Sequence, residues 1–265
     1  MLFRSGARFR NAGPMLVVAR RASVVIVSLA VAATLAWCMW RTLAPGGWSL
    51  PKAIVQVGFS LAVLWVGFCF AQGSLGFAAL LFRRPRQPPF PIPVGRMVIG
   101  VTVRNEDMAS VLPPIRRLVD GLDARGAGAK IGVFVLSDST PDHEAAERAA
   151  VAAFGDPDRV RYRRRADNAL FKAGNILDFM DRHAEGFEYL LILDADSDMS
   201  ADAVLRLATE MESDDRLAIV QHLTVGLPAS SAFPRLFQFG MRAGMRTWAA
   251  ALAWWQQDEA CYWEI

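Results

Sequence analysis

The sequence predicts an α/β protein in which two membrane-spanning helices precede a mostly parallel sheet. Three observations carry that prediction. Two long apolar runs without a charge occupy much of the first 82 residues, strand-like apolar runs alternate with helical ones from residue 97 onward, and acidic residues stand where those strand-like runs end.

The spans come first. The 265 residues are 53% hydrophobic, and the excess collects in residues 22–40 and 53–82, neither of which holds a charge. As helices these runs are about 28 Å and about 45 Å long, against a hydrocarbon core of about 30 Å. The first just crosses; the second crosses with length left for tilt or for a turn around Gly73 and Gly76. A cleaved signal peptide is the alternative for the first run, but a persuasive small-x-small cleavage site is lacking and the basic pair Arg20 and Arg21 leads straight into a full-length span. Residues 1–21 form a basic tail with Arg4, Arg8 and Arg10, only Arg41 and Lys52 flank the loop between the spans, and Arg83, Arg84 and Arg86 follow the second. This bias predicts that both ends are cytoplasmic, with the basic residues beside anionic membrane lipid. Basic and aromatic residues do not alternate along a soluble face, so the net charge of +3 gives no support for a nucleic-acid partner. Cys38, Cys69 and Cys261 have no CxxC spacing and read as apolar fillers.

Residues 83–96 are a basic and proline-rich linker, QPPFPIPVG being unable to continue a helix. Residues 97–232 then alternate. Strand-like MVIGVTV is followed by a helix from about Ala109 to Leu122, IGVFVL by one from about Asp142 to Ala153, VRYR by one from about Ala173 to Arg182, and YLLILD by one from about Ala201 to Met211, before a last strand-like run, LAIVQH. Residues 233–265 make an amphipathic and aromatic-rich segment. On a helical wheel Arg235, Arg242 and Arg246 fall within about 40° of one another, opposite Phe233, Phe237, Met241, Gly244 and Trp248. Packing against the domain and lying in a membrane interface both account for that pattern. Trp254, Trp255, Tyr262 and Trp263 extend the aromatic surface, suited either to sugar rings or to headgroup depth.

In a parallel sheet, polar residues at the carboxyl ends of strands line the ligand crevice. Three strand ends are informative: VTVRNED, VLSDSTPD and LILDADSD bring Glu106, Asp138, Asp194 and Asp196 toward one edge. Residues two apart on a strand share a face, so Asp194 and Asp196 are placed to reach one divalent cation or one metal-bound diphosphate; a loop ending in solvated acids gives the same local pattern. Neither GxGxxG nor GxxxxGK[ST] occurs, which leaves a diphosphate to be neutralised by a metal rather than by a glycine-rich loop. Asp138 is suited to accept hydrogen bonds from a base or ribose, and Asp196 to hold the cation. Lys172 stands where a loop turns into a helix, within reach of a phosphate or acceptor hydroxyl. Arg161, Arg163, Arg164 and Arg165 are less specific, since alternate ones beside a strand also suit solvent. His143, His183 and His222 lack metal spacing, and Ser137 and Ser139 lack a nucleophile elbow.

Val101-Thr102-Val103-Arg104-Asn105-Glu106, Leu136-Ser137-Asp138-Ser139, Lys172-Ala173-Gly174-Asn175 and Asp194-Ala195-Asp196, in that order, resemble a membrane-bound processive glycosyltransferase with the family-2 nucleotide-sugar fold. The blocks YRRRADNALFKAGNILDF, YLLILDADSDMS and WWQQDEACYW more closely resemble the glucan biosynthesis glucosyltransferase H family. The resemblance covers the spans and nearly all of residues 97–263. It implies transfer of glucose from UDP-glucose, with inversion, to a growing glucan acceptor: the β-1,2-linked backbone of osmoregulated periplasmic glucans at a bacterial inner membrane, with the catalytic domain cytoplasmic. It further implies that Glu106 and Asp138 bind the uridine portion, that Lys172 lies in the donor pocket, that Asp194 organises it, and that Asp196 coordinates Mg²⁺ or Mn²⁺. Acyl carrier protein is a partner the resemblance suggests. The family pattern continues past residue 265 with an acidic acceptor-site motif, a Gln-x-x-Arg-Trp type motif and further spans, and Glu264-Ile265 depart from it. The expectation is therefore an incomplete family-2 domain, a truncated product or fragment whose catalytic base lies outside it. A cellulose-synthase-like or lipid-linked sugar transferase is the alternative enzyme, and a non-catalytic membrane interaction fragment the alternative of another class.

Overall fold

The computed structural model describes residues 13–82, 89–215 and 217–256. The expectations resting on Arg4, Arg8, Arg10, Arg83, Arg84, Arg86, Cys261, Tyr262 and Trp263 lie outside those residues. Two compact units are present, one formed by residues 87–215 and the other by the chain before and after them. The boundary at 215 differs from the 97–232 division read from the sequence, because residues 217–256 make their contacts with the apolar helices.

In the first unit in chain order, α1 runs Pro14–Leu43 and α2 runs Leu50–Leu81. Both are long and apolar enough to cross a membrane. α1 begins eight residues before the uncharged run, with Pro14 at its N-terminus, because Arg20 and Arg21 do not interrupt backbone hydrogen bonding. The last helix, α7, spans Ala232–Trp255 and divides in two. Its first half leaves Phe233, Leu236, Phe237 and Phe239 exposed, whereas Ala249–Ala253 are buried. Trp248 packs edge-on to Phe68 with ring centroids 5.6 Å apart, the Trp255 indole N–H donates to Gln72 Oε1 at 3.1 Å, and Arg20 donates to the Trp254 carbonyl at 3.0 Å. Small residues let the helices approach this closely. A Cβ on Gly76 would collide with the Thr247 carbonyl. Gly76→Leu is accordingly expected to cost the α2–α7 contact about 1–3 kcal/mol. Hydrogen exchange in detergent should show faster exchange across residues 247–255; unchanged protection there would contradict this packing.

The second unit holds a four-stranded parallel sheet in the order β3-β2-β1-β4, with β1 at Met97–Val103, β2 at Ile131–Ser137, β3 at Val160–Arg164 and β4 at Tyr189–Asp194. Its helices are α3 (Met108–Asp123), α4 (Pro141–Ala152), α5 (Phe171–His183) and α6 (Ala201–Glu212). Alternation along the strands sorts the core into two layers. Ile99, Val101, Val103, Val133 and Val135 pack with Ile115, Leu118 and Leu122 of α3, Val204, Leu205 and Ala208 of α6, and Val151 of α4. Val98, Phe134 and Leu136 face the other way, onto Phe179 of α5. Helices therefore cover both faces of the sheet, as its apolar strands require.

Residues 217–222, expected as a further strand, are not one: no strand follows β4 among the described residues. Their apolarity is real, but a strand needs a partner ladder, and Ile219 remains 45% exposed. The sheet's registry fixes what matters next. Thr102 lies opposite Asp194, Val103 opposite Ser137, and Ser137 opposite Arg164, so all four strands end at one edge.

Candidate functional site

Beyond β2, Asp138 is buried, and both its oxygens accept from Arg165, Oδ1 from Nε at 2.6 Å and Oδ2 from Nη2 at 2.9 Å. Such a bidentate pair fixes both side chains. The hydrogen bond to Asp138 pushes the Arg165 guanidinium above its ordinary value. Arg165 also donates to the carbonyls of Ala169 at 2.9 Å and Phe171 at 2.7 Å, and Asn168 Nδ2 donates to the Asp138 carbonyl at 3.0 Å. The arginine that the sequence left undecided between site and solvent thus fastens the β2 end to the turn that opens α5.

That turn is conformationally unusual. Among the described residues the non-glycine positions with positive φ are Asn105, Leu170 and Phe171, at 58°, 58° and 48°. Side-chain–backbone crowding makes such values uncommon outside glycine, and they cluster at functional sites. Lys172 follows at once, and its ammonium pairs with Asp194 Oδ1, both side chains being about half exposed. Buried behind it, Asn175 donates to the Leu136 carbonyl at 3.1 Å and accepts from Arg163, which also pairs with Asp178. Burial pushes the Arg163 guanidinium below its ordinary value.

β4 ends at Asp194, and Asp196 lies in the turn beyond it, so the two carboxylates are not displayed by a common strand as the alternation argument supposed. The Ser197 amide donates to the Asp194 carbonyl at 3.0 Å, which closes that turn, while Thr102 Oγ1 lies 3.4 Å from Asp194 Oδ1. Asp196 is exposed and makes no hydrogen bond or ion pair with a described residue. Glu106 is exposed in the loop after β1 and likewise has no described partner. The structure therefore brings Asp138, Lys172 and Asp194 into one bonded framework through Arg165 and the α5 turn, with Glu106 and Asp196 on free loops at the same sheet edge. Among the described residues no group of three or more His, Cys, Asp or Glu side chains forms a metal cage.

One buried group escaped the sequence reading. Glu147 on α4 is 1% exposed and accepts from Ser137, Ser139 and Tyr162. Burial pushes the Tyr162 phenol up to about 12, so it remains a proton donor at neutral pH. The available signal was position: Glu147 stands four residues before Val151, on the same helix face as that core residue.

A parallel sheet with acids at its carboxyl edge accommodates many chemistries, and comparison with known proteins shows the family. The model of glycosyl transferase family 2 matches residues 98–249, more than half of the chain. The chain belongs to this family. Among curated relatives, proteins named glucans biosynthesis glucosyltransferase H from Xanthomonas campestris pv. campestris (strain B100) and Xylella fastidiosa (strain 9a5c) are each 32% identical, over 97% and 96% of this chain and 41% and 42% of their own lengths. A protein of the same name from Bradyrhizobium diazoefficiens is 33% identical over 85% of this chain and 31% of its own length. The chain thus spans about two-fifths or less of these relatives. The resemblance read from the KAGN and aspartate blocks is borne out as membership of this family. Within the family-2 match lie all of Glu106, Asp138, Lys172, Asp194 and Asp196.

Proposed function

We propose that this site binds UDP-glucose and that the complete enzyme transfers glucose, with inversion, to the growing β-1,2 backbone of a periplasmic glucan at a bacterial inner membrane. The observation that carries the reading is the single sheet edge where Asp138 follows β2, Asp194 ends β4 and Lys172 reaches Asp194 from α5, inside a family-2 match. Asp138, with its backbone fixed by Asn168 and its carboxylate by Arg165, keeps lone pairs for the uracil or ribose, and Glu106 closes the same side. Lys172 offers its ammonium to the donor phosphates, and Asp194 holds that ammonium in place. The positive-inside bias of the sequence supports a cytoplasmic location for this unit.

Asp196 fits Mg²⁺ or Mn²⁺: it is a hard oxygen donor, exposed and without a partner among the described residues. Mg²⁺ is usually bound through one or two carboxylates plus substrate phosphates. When bound, the ion would neutralise charge on the departing diphosphate.

Calorimetry on the chain in detergent tests the reading. UDP should bind with Mn²⁺ present, EDTA should abolish most of the heat, and Asp196→Asn should weaken binding by at least about tenfold while the protein stays folded. Retained affinity in Asp196→Asn would remove the metal role, and preference for GDP-mannose over UDP-glucose would overturn the donor.

A further inference from the structure

Glu147 is where the sheet edge is held from behind. Its Oε2 accepts from Ser137 Oγ at 2.7 Å and from the Tyr162 hydroxyl at 2.8 Å, while Oε1 accepts from Ser139 Oγ at 2.5 Å. It forms no ion pair among the described residues. A buried carboxylate without such hydrogen bonds is strongly disfavoured, so these three hydroxyls and the acid depend on one another.

What the two serines do next gives the cluster its meaning. They flank Asp138 on either side, both buried, and the Ser139 amide donates to Ser137 Oγ at 3.1 Å. Ser139 Oγ, donating to Glu147, also accepts from the Asn105 amide at 2.7 Å. Asn105 is the left-handed residue that turns the chain after β1, immediately before Glu106, and its Oδ1 accepts from the Thr140 amide at 2.9 Å. The chain of contacts therefore runs from Glu147 through Ser139 to the turn that carries Glu106, and through both serines to the backbone on each side of Asp138. A hydrogen bond between two loops fixes their spacing only if its own donor and acceptor are held, and Glu147 holds Ser139.

We propose that Glu147 is a positioning residue for the donor site, fixing the β1 and β2 exits relative to one another through Ser139 and Asn105. This rests on the donor reading above for its consequence, though not for its geometry. The third contact separates a positioning role from a purely structural one: the Tyr162 phenol meets the same carboxylate and Ser137, but neither Ser139 nor Asn105, the two residues that join the loops.

The test compares Glu147→Gln, Ser139→Ala, Tyr162→Phe and the Glu147→Gln/Ser139→Ala pair in the full chain in detergent. Hydrogen exchange is measured without nucleotide, and UDP affinity with Mn²⁺. Glu147→Gln and Ser139→Ala should each accelerate exchange of the Asn105 amide and weaken UDP binding roughly tenfold, the consequence of one lost hydrogen bond. The double variant should be no worse than Glu147→Gln, because both act on one path. Tyr162→Phe should leave both readouts within about twofold, whatever it does to Tm. Unchanged Asn105 exchange in Ser139→Ala, additive effects in the double variant, or equal loss of UDP affinity in Tyr162→Phe overturns the proposal. Should Glu147→Gln fail to fold, Ser139→Ala against Tyr162→Phe decides it. A wild-type chain that binds no uridine nucleotide defeats the donor reading instead, and exchange at Asn105 still decides the Glu147 link.

Discussion

Asp138→Ala is expected to destabilise the sheet unit by about 3–5 kcal/mol and to abolish UDP binding, the range for removing one partner of a buried ion pair. Arg165 would be left at 9% exposure without its bidentate partner, keeping the Ala169 and Phe171 carbonyls as acceptors and Asp167 as a nearby charge. Because the same guanidinium ties the β2 end to the α5 turn, the turn that presents Lys172 should loosen with it. Denaturant unfolding of the chain and UDP calorimetry read the two effects separately. Lys172→Ala is the contrast, since an exposed pair contributes about 0–1 kcal/mol: stability should hold while UDP affinity falls. If Asp138→Ala unfolds within about 1 kcal/mol of wild type, the framework role assigned to the pair is wrong.

Gly174→Val should be nearly as damaging, for a steric reason. A Cβ at Gly174 would run into the Ala169 carbonyl and lie 2.9 Å from the Leu170 Cβ, and both belong to the left-handed turn that cannot shift cheaply. Gly174→Ala is expected to cost about 1–3 kcal/mol, the usual range for overpacking, and Gly174→Val more. The measurable consequence is a lowered Tm together with lost UDP affinity in both variants, graded by side-chain size. Gly174→Ala with unchanged Tm and affinity would mean that this turn is not held as described. The glycine of the Lys172–Asn175 block is thus explained by space, with its own φ in the ordinary helical region.

Much of the fold was legible because its signals are local. The elements of the sheet unit begin and end within a few residues of where periodicity put them: α3 at Met108–Asp123 against 109–122, β2 at Ile131–Ser137 against 131–136, α6 at Ala201–Glu212 against 201–211. The run at 217–222 failed because apolarity is local and strand pairing is not. Asp194 and Asp196 illustrate the same limit at one strand end: a two-residue spacing predicts a shared face only while the strand lasts, and β4 stops at Asp194. The four arginines of residues 161–165 were undecidable as a run, since a charge beside a strand suits solvent and an ion pair equally well until a partner 27 positions away, Asp138 for Arg165, is brought alongside.

By itself the sequence determined two apolar helices, a parallel sheet covered on both faces, and the placing of Asp138, Lys172, Asp194 and Asp196 at strand exits or helix starts. Each of these follows from backbone geometry and from the transfer of apolar side chains out of water, which act over a few residues. Only the tertiary structure decided that Arg165 clamps Asp138, that Lys172 meets Asp194, that the second half of α7 packs on α2, and that Glu147 gathers three hydroxyls beneath the site. Those outcomes depend on desolvation and hydrogen bonding between residues distant in the chain. A buried polar group is tolerated only where its partners arrive in the right directions, and the sheet's registry, not the spacing along the sequence, sets those directions.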